Sequence, residues 1–237
     1  MIMPPATPPL SAEAAAVVQR TLDELRAAFD VVTTEIPLAG RVVTMYHPRN
    51  ADALIDEEAF AIDERLPYWA DLWPSARVLA ERIAAMAPDE RRFLELGCGA
   101  GLVSVAAAIA GFDVTATDYY DDALRFTALN VLANTGTLID TRTADWRRFP
   151  HDLGRFELVA ASDVLYEREH AELIASVIDR TLTARGTAIV ADPGRLAAPQ
   201  FVEQATERGM IAGIADRVPY AEENVRQTID VYEIRRR

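Results

Sequence analysis

The chain has 237 residues, half of them hydrophobic, and carries a formal net charge of −13. That length can bury one sizeable core, and the acidic balance disfavours sequence-independent attachment to a nucleic-acid backbone. No run approaches about 18 uninterrupted apolar residues, which excludes a helical membrane span. All 24 lysine-or-arginine positions are arginine, so lysine Schiff-base and P-loop lysine chemistry are excluded. The lone cysteine, Cys98, rules out an internal disulfide and fits a reducing, cytoplasmic setting.

Met1 to Leu10 holds four prolines and no basic residue; it is expected to be a disordered lead-in (residues 1–10) rather than a signal peptide. Ser11 to Phe29 reads as an amphipathic helix, Ser11 as N-cap and Val18, Leu22, Leu25 and Phe29 on one stripe. Val31 to Ile36 and Arg41 to Tyr46 are β-rich runs around Pro37-Leu38-Ala39-Gly40, a hairpin pattern. His47 to Leu66 is acidic and irregular. Pro74 opens a helix with Leu79, Ile83 and Met86 on one face. Residues 11–75 are thus expected to form a helical and hairpin extension packed on the core, and 76–237 the main domain.

From Arg92 the pattern is regular: a strand, a glycine turn, a helix from Leu102 to Ile109, Gly111, then a strand over Val114 to Thr117. A helix over Asp121 to Asn134, strands over Thr141 to Ala144 and Leu158 to Ala161, a helix over Glu169 to Leu182 and a strand over Thr187 to Ala191 follow. Ala197 to Arg208 is helical, and Ile211 to Val218 and Gln227 to Ile234 are β-like with no helix between them, so they are expected to pair antiparallel. The fold class is α/β: a doubly wound, Rossmann-like seven-stranded sheet, mostly parallel with an antiparallel last strand.

Phe93-Leu94-Glu95-Leu96-Gly97-Cys98-Gly99-Ala100-Gly101-Leu102 is a short apolar strand that breaks into a glycine-spaced turn. Gly97, Gly99 and Gly101 give G-x-G-x-G, where missing side chains are expected to let backbone pass close to a ligand. The dinucleotide fingerprint wants its third glycine at position 102, which is leucine. In an open parallel sheet, ligands bind past the carboxyl ends of the strands, so the residues standing there are the candidates. Asp118, after the second strand, can accept both hydroxyls of a ribose or form an Asx turn. Asp145-Trp146, after the third, can meet an adenine amine and cover the base, or serve as turn former and core anchor. Ser162, Asp163 and Tyr166 follow the fourth strand, Asp163 and Tyr166 facing the pocket mouth unless Asp163 only caps a helix. Trp69 and Trp73 are either anchors or, for Trp69, a wall over the cofactor. Asp192-Pro193-Gly194-Arg195 reads as a tight turn. Cys98 is a small apolar filler of the loop, and His47, His151 and His170 give no metal-ligand pattern. No G-x-S-x-G elbow is present.

Together the Glu95 to Gly101 loop, Asp118, Asp145-Trp146, the D-x-x-Y from Asp163 to Tyr166 and the Trp69/Trp73 segment resemble the family 16, seven-β-strand methyltransferases, over about Leu66 to Arg235. Asp192 to Arg195 with Glu223-Asn224-Val225-Arg226-Gln227-Thr228 resembles the bacterial branch that includes electron-transfer flavoprotein β-subunit lysine methyltransferases and is often described as nicotinamide N-methyltransferase-like. Pro74-Ser75 departs from the small pair some relatives carry after the second tryptophan. The resemblance implies S-adenosylmethionine (SAM) as methyl donor, held by Trp69, Glu95, Gly97, Cys98, Gly99, Gly101, Asp118, Asp145, Trp146 and Ser162. It implies Asp163 and Tyr166 as catalytic residues, with no metal. Glu95 is expected to fix the loop or reach the methionyl end of SAM. The acceptor implied is a protein lysine or, as the alternative, a small amine or heteroaromatic nitrogen; neither nucleic acid nor membrane is expected as a partner, and a monomer is the default. A catalytically silent SAM-binding interaction module is the reading from another class, and an NAD-dependent oxidoreductase is disfavoured by Leu102.

Overall fold

A computed structural model describes residues 10–54, 67–88, 91–222 and 225–237. The lead-in up to residue 9, the acidic stretch 55–66 and the Glu223-Asn224 part of the late motif lie outside the described residues.

The extension begins with α1 (Ala12–Ala28), whose first turn is capped by Ser11: its hydroxyl accepts the Ala14 N–H at 3.1 Å. Leu22 and Leu25, on the predicted stripe, are buried against Phe126 and Leu129. Strands β1 (Val31–Leu38) and β2 (Arg41–Pro48) pair antiparallel as a separate two-stranded sheet. Their turn places Ala39 and Gly40 at φ of 46° and 77°, the left-handed pair that a tight hairpin demands.

The main sheet contains β3 (Arg92–Leu96), β4 (Asp113–Asp118), β5 (Asp140–Thr143), β6 (Phe156–Ser162), β7 (Leu182–Asp192), β8 (Met210–Glu222) and β9 (Val225–Arg236). The order is β5-β4-β3-β6-β7-β9-β8. Pairings β3–β4, β4–β5, β3–β6 and β6–β7 are parallel, and β9 runs antiparallel between β7 and β8. The expected antiparallel last strand is therefore the one inserted second from the edge. The helices are α2 (Pro74–Ala84), α3 (Leu102–Ala110), α4 (Asp121–Thr135), α5 (His170–Thr181) and α6 (Ala198–Glu207).

Strand alternation divides the interior. Leu94, Leu96, Val159 and Val190 pack with α5 and α6, while Phe93, Val114, Leu158 and Ile189 pack with α2, α3 and the hairpin residues Val43 and Met45. The chain crosses from one side of β3 to the other between β5 and β6, so the strand order reverses at the β3/β6 junction. The crevice past the carboxyl ends of these two strands is where such sheets take ligands.

The largest differences from the expected extents lie in β7, β8 and β9. β7 starts at Leu182, not Thr187, because Leu182 pairs with Phe156 across an irregularity in the β6 register. β8 and β9 run on through polar sequence to Glu222 and Val225 because each residue there is paired in one long antiparallel ladder. Pro219 is tolerated because β8 lies on the sheet edge.

The hairpin is joined to the core by two amides on α4. Asn134 accepts the Thr44 N–H at 2.9 Å and donates to its carbonyl at 2.8 Å. One turn earlier, Asn130 does the same to Tyr46 at 2.7 and 2.8 Å. Positions four apart on a helix thus match positions two apart on the outer edge of β2.

Candidate active site

The glycine loop is built around left-handed backbone: Gly97, Gly99 and Gly101 have φ of 69°, 55° and 87°. The space their missing side chains leave is taken by protein. A Cβ on Gly97 would lie 3.2 Å from both the Trp146 ring and Val164, and on Gly99 3.0 Å from the Trp69 carbonyl oxygen. On Gly101 it would lie 2.6 Å from Thr127 Oγ1 and 2.8 Å from its Cα. The missing side chains let the loop seat against the β6 exit, the Trp69 backbone and α4, a packing reason for these glycines beside the expected approach to a ligand. The seated loop then lines the cavity.

Backbone anchors fix it there. Gly97 and Cys98 N–H groups donate to the Thr117 carbonyl at 2.9 and 3.0 Å, and Asn130 donates to the Ala100 carbonyl at 2.8 Å. The Thr127 hydroxyl lies 2.9 Å from the Gly99 carbonyl and 3.2 Å from Cys98 Sγ. Burial pushes the Cys98 thiol well above its ordinary range, so it is unreactive packing.

Glu95 takes the first of the two roles expected of it, fixing the loop. It points from β3 toward α3, is 1 % exposed, accepts the Ser104 hydroxyl at 2.5 Å and does not line the cavity. Burial, opposed by the Ser104 bond and reinforced by Asp118, pushes its carboxyl up to about 8; at neutral pH it carries a proton. It ties the strand before the loop to the helix after it.

Asp118 ends β4. Its two oxygens accept the N–H groups of Gly99 at 2.9 Å and Tyr120 at 3.0 Å. Burial raises its pKa against those bonds. The turn-forming role is thus realised, yet the carboxylate also lines the cavity and retains lone pairs for a hydroxyl donor. Asp145 accepts the Arg147 N–H at 2.9 Å, starting the short 3-10 turn Trp146–Arg148. Trp146 sets its indole edge-on to His170, ring centres 5.0 Å apart. Trp69 lines the cavity too, but its ring packs on Phe29 and Phe126, so it anchors the extension.

Past β6, Ser162 lines the cavity and Asp163 adopts φ 57°, a left-handed conformation that costs a non-glycine residue roughly 1–3 kcal/mol. The bond from its N–H to the Ala191 carbonyl, 2.9 Å, holds it there. Its side chain is almost fully buried; Oδ1 accepts Arg195 Nε at 2.6 Å and Oδ2 accepts the Ser75 hydroxyl at 3.3 Å. Tyr166 stands at the rim, 42 % exposed, its ring 5.6 Å from Tyr68 and 4.5 Å from His170. His170 Nδ1 lies 2.9 Å from the Val164 carbonyl, which can only accept, so that nitrogen carries the proton. Burial lowers its pKa and keeps the imidazole neutral.

The candidate site residues other than Glu95 line one cavity of about 510 Å³, within the usual size for a cofactor or small-molecule site. Arg195, Tyr68 and His170 join it without having been singled out as functional, and Ser75 supports Asp163 from outside the lining. Arg195 was findable: it lies in the turn at the carboxyl end of β7, the position that made Asp118 and Asp163 candidates.

Comparison with known proteins agrees with this arrangement. A family model described as lysine methyltransferase matches residues 68–207. The electron transfer flavoprotein β-subunit lysine methyltransferase of Xenopus laevis is 30% identical over 133 residues, 54% of this chain and 53% of that protein. A protein N-terminal and lysine N-methyltransferase of Cryptococcus neoformans is 28% identical over 172 residues, 64% and 57% of the two chains. The chain therefore spans about half the length of the curated relatives it matches. Among solved structures, magnesium protoporphyrin IX methyltransferase from Synechocystis, with bound SAM, superposes with a TM-score of 0.52 at 20% identity over 68% of this chain and 77% of that one. Ribosomal protein L11 methylase from Lactobacillus delbrueckii does so with 0.53 at 22%, over 69% and 77%. At such identities the structures speak for the fold, a Rossmann-like methyltransferase fold; by the family model's match over residues 68–207, more than half of its length, the chain belongs to the lysine methyltransferase family.

Proposed function

We propose that this chain is a SAM-dependent N-methyltransferase that modifies a lysine side chain of a protein. The observation that carries the reading is the shared cavity: Asp163, held in left-handed backbone past β6, opens into the same space as Asp118 and the glycine loop. The donor set fits SAM. Asp118 suits the ribose hydroxyls, the free lone pairs of Asp145 the adenine amine, Trp146 the base, and the seated loop with Ser162 the methionyl end. When bound, SAM supplies a methyl group on a positive sulfur, open to in-line displacement.

The protein's own task is then alignment of a neutral amine. A lysine amine with pKa ~10.4 must lose about 4 kcal/mol to be neutral at pH 7.4. Carboxylates as a class are far weaker bases than alkylamines; Asp163 orients the amine and the proton leaves through water. Tyr166 and Tyr68 form the rim through which the side chain enters. Residues 11–75 form an extension that supports the rim through Trp69, and 76–237 the catalytic domain. The described residues include no helix long and apolar enough to cross a membrane, the free, buried Cys98 suits a reducing, cytoplasmic setting, and a monomer is the default.

Transfer of tritium from labelled SAM into a cell extract, separated into protein and small-molecule fractions, tests the reading. Label is expected on protein, at lysine after hydrolysis. Label confined to small molecules would move the acceptor class, and no transfer with intact SAM binding would favour a silent binding module.

A further inference from the structure

We infer that Arg195 is the resident counter-cation of Asp163, so that the acceptor position beside Asp163 takes an amine in its uncharged form and disfavours the ammonium. The inference rests on the reading of Asp163 as the residue beside the acceptor nitrogen.

A buried carboxylate without a partner attracts a cation and favours the protonated form of any amine within about 4–6 Å. Such a site binds lysine well and keeps the proton on the nitrogen whose lone pair must attack. Here Oδ1 already faces Arg195 Nε at 2.6 Å, and the Ser75 hydroxyl serves Oδ2. An arginine keeps its charge throughout the range in which an amine titrates, which a lysine in its place would not guarantee.

The guanidinium is also held in position. Asp192 Oδ1 accepts the N–H groups of Gly194 at 2.8 Å and Arg195 at 2.6 Å, fixing the backbone. The guanidinium carbon lies 5.8 Å from the centre of the Trp73 ring, within reach of a cation–π contact. A second cation entering between Asp163, Trp73 and the rim tyrosines meets a pair that is already neutral.

Other charged or titratable groups face the same space. Asp71, Asp118, Asp145 and Glu167 line it with Arg147 and His170, and Asp192 interacts electrostatically with Asp163 from behind. Burial lowers the His170 pKa and raises that of Cys98 well above its ordinary range. Glu95 loses its proton near 8, behind the loop and against Asp118. A negative charge gained there favours a cation, opposite to the trend expected from Arg195.

The test is binding of n-butylamine to the full chain, without SAM and without turnover, followed by tryptophan fluorescence from pH 7 to 9. The wild-type chain is expected to bind total amine about tenfold more tightly per pH unit, as the neutral fraction of an amine with pKa ~10.4 rises. Arg195→Gln is expected to bind at least tenfold more tightly than wild type at pH 7 with the pH trend flattened, and Arg195→Lys to keep the wild-type trend. Wild-type affinity that is flat or falls with pH overturns the inference, whether or not the Gln variant folds. So does a Gln variant with the wild-type slope, or the absence of saturable binding in both. The wild-type slope together with no methyl transfer to any amine would sink the functional reading and leave the charge relationship standing.

Discussion

Glu95 offers a stringent test, because its role follows from burial alone. Its carboxyl is raised from 4.5 to about 8, with desolvation the largest cause. Between those values the folded chain keeps a proton that the unfolded chain has released, so folding stability falls as pH rises, by about 1.4 kcal/mol per pH unit. The contribution is fully present below 4.5 and lost as pH passes through 8. Glu95→Gln cannot titrate. The stability of the variant minus that of wild type should therefore grow by about 3.5 kcal/mol between pH 5 and pH 8, and level off below 4.5 and above 8. Urea denaturation at four pH values reads this directly. The offset at any one pH includes how well the new amide pairs with Ser104; the slope does not. A difference constant to within about 1 kcal/mol across that range would mean that Glu95 is ionised in the folded chain and that the account of its environment is wrong. Because Glu95 does not line the cavity, the same variant should bind SAM with an unchanged Kd.

Asp163→Asn should lower methyl transfer at least a hundredfold with the SAM Kd unchanged, measured by tritium transfer and calorimetry; normal turnover would remove Asp163 from the site. Asp118→Asn exchanges a charge-assisted acceptor for a neutral one, about 1.5–3 kcal/mol, so the SAM Kd should rise ten- to hundredfold; an unchanged Kd would show that the ribose lies elsewhere. Gly101→Ala and Gly111→Ala form a matched pair, with φ of 87° and 94°, one against Thr127 and the other with nothing within 4 Å. Gly111→Ala should cost about 1–2 kcal/mol of backbone strain and Gly101→Ala clearly more, seen as a lower melting temperature. Equal losses would refute the tight seating of the loop on α4.

The alternation of strands and helices was legible because the central strands β3, β4, β6 and β7 carry apolar runs bounded by glycine, proline or a cap, and burial on both faces demands that composition; β5, polar and on the edge, showed only weakly. The carboxylates at the strand ends were legible for the same reason: once a strand ends, topology says where its next residue points. What each carboxylate touches was not legible. The partner of Asp163 is Arg195, 32 residues later, and the pairing exists only because β6 and β7 lie side by side. Glu95 looked like a cavity residue because it adjoins the loop in sequence; strand alternation turns it to the α3 side instead. The lengths of β8 and β9 exceeded their expected runs because ladder pairing is a backbone property that polar residues such as Glu222 and Arg226 join as readily.

A two-stranded hairpin is marginal by itself, and an open strand edge invites pairing with other chains. Here Asn130 and Asn134 supply, from the side of a helix, the hydrogen bonds that a third strand would bring to Thr44 and Tyr46. Asn130 also holds Ala100 in the glycine loop. The hairpin is consequently not a transferable module. Grafted onto a related domain without asparagines at both helix positions, it would arrive with a raw edge; removed from this one, it would leave the buried amide oxygens of Asn130 and Asn134 without the donors they have here and loosen the support of the glycine loop.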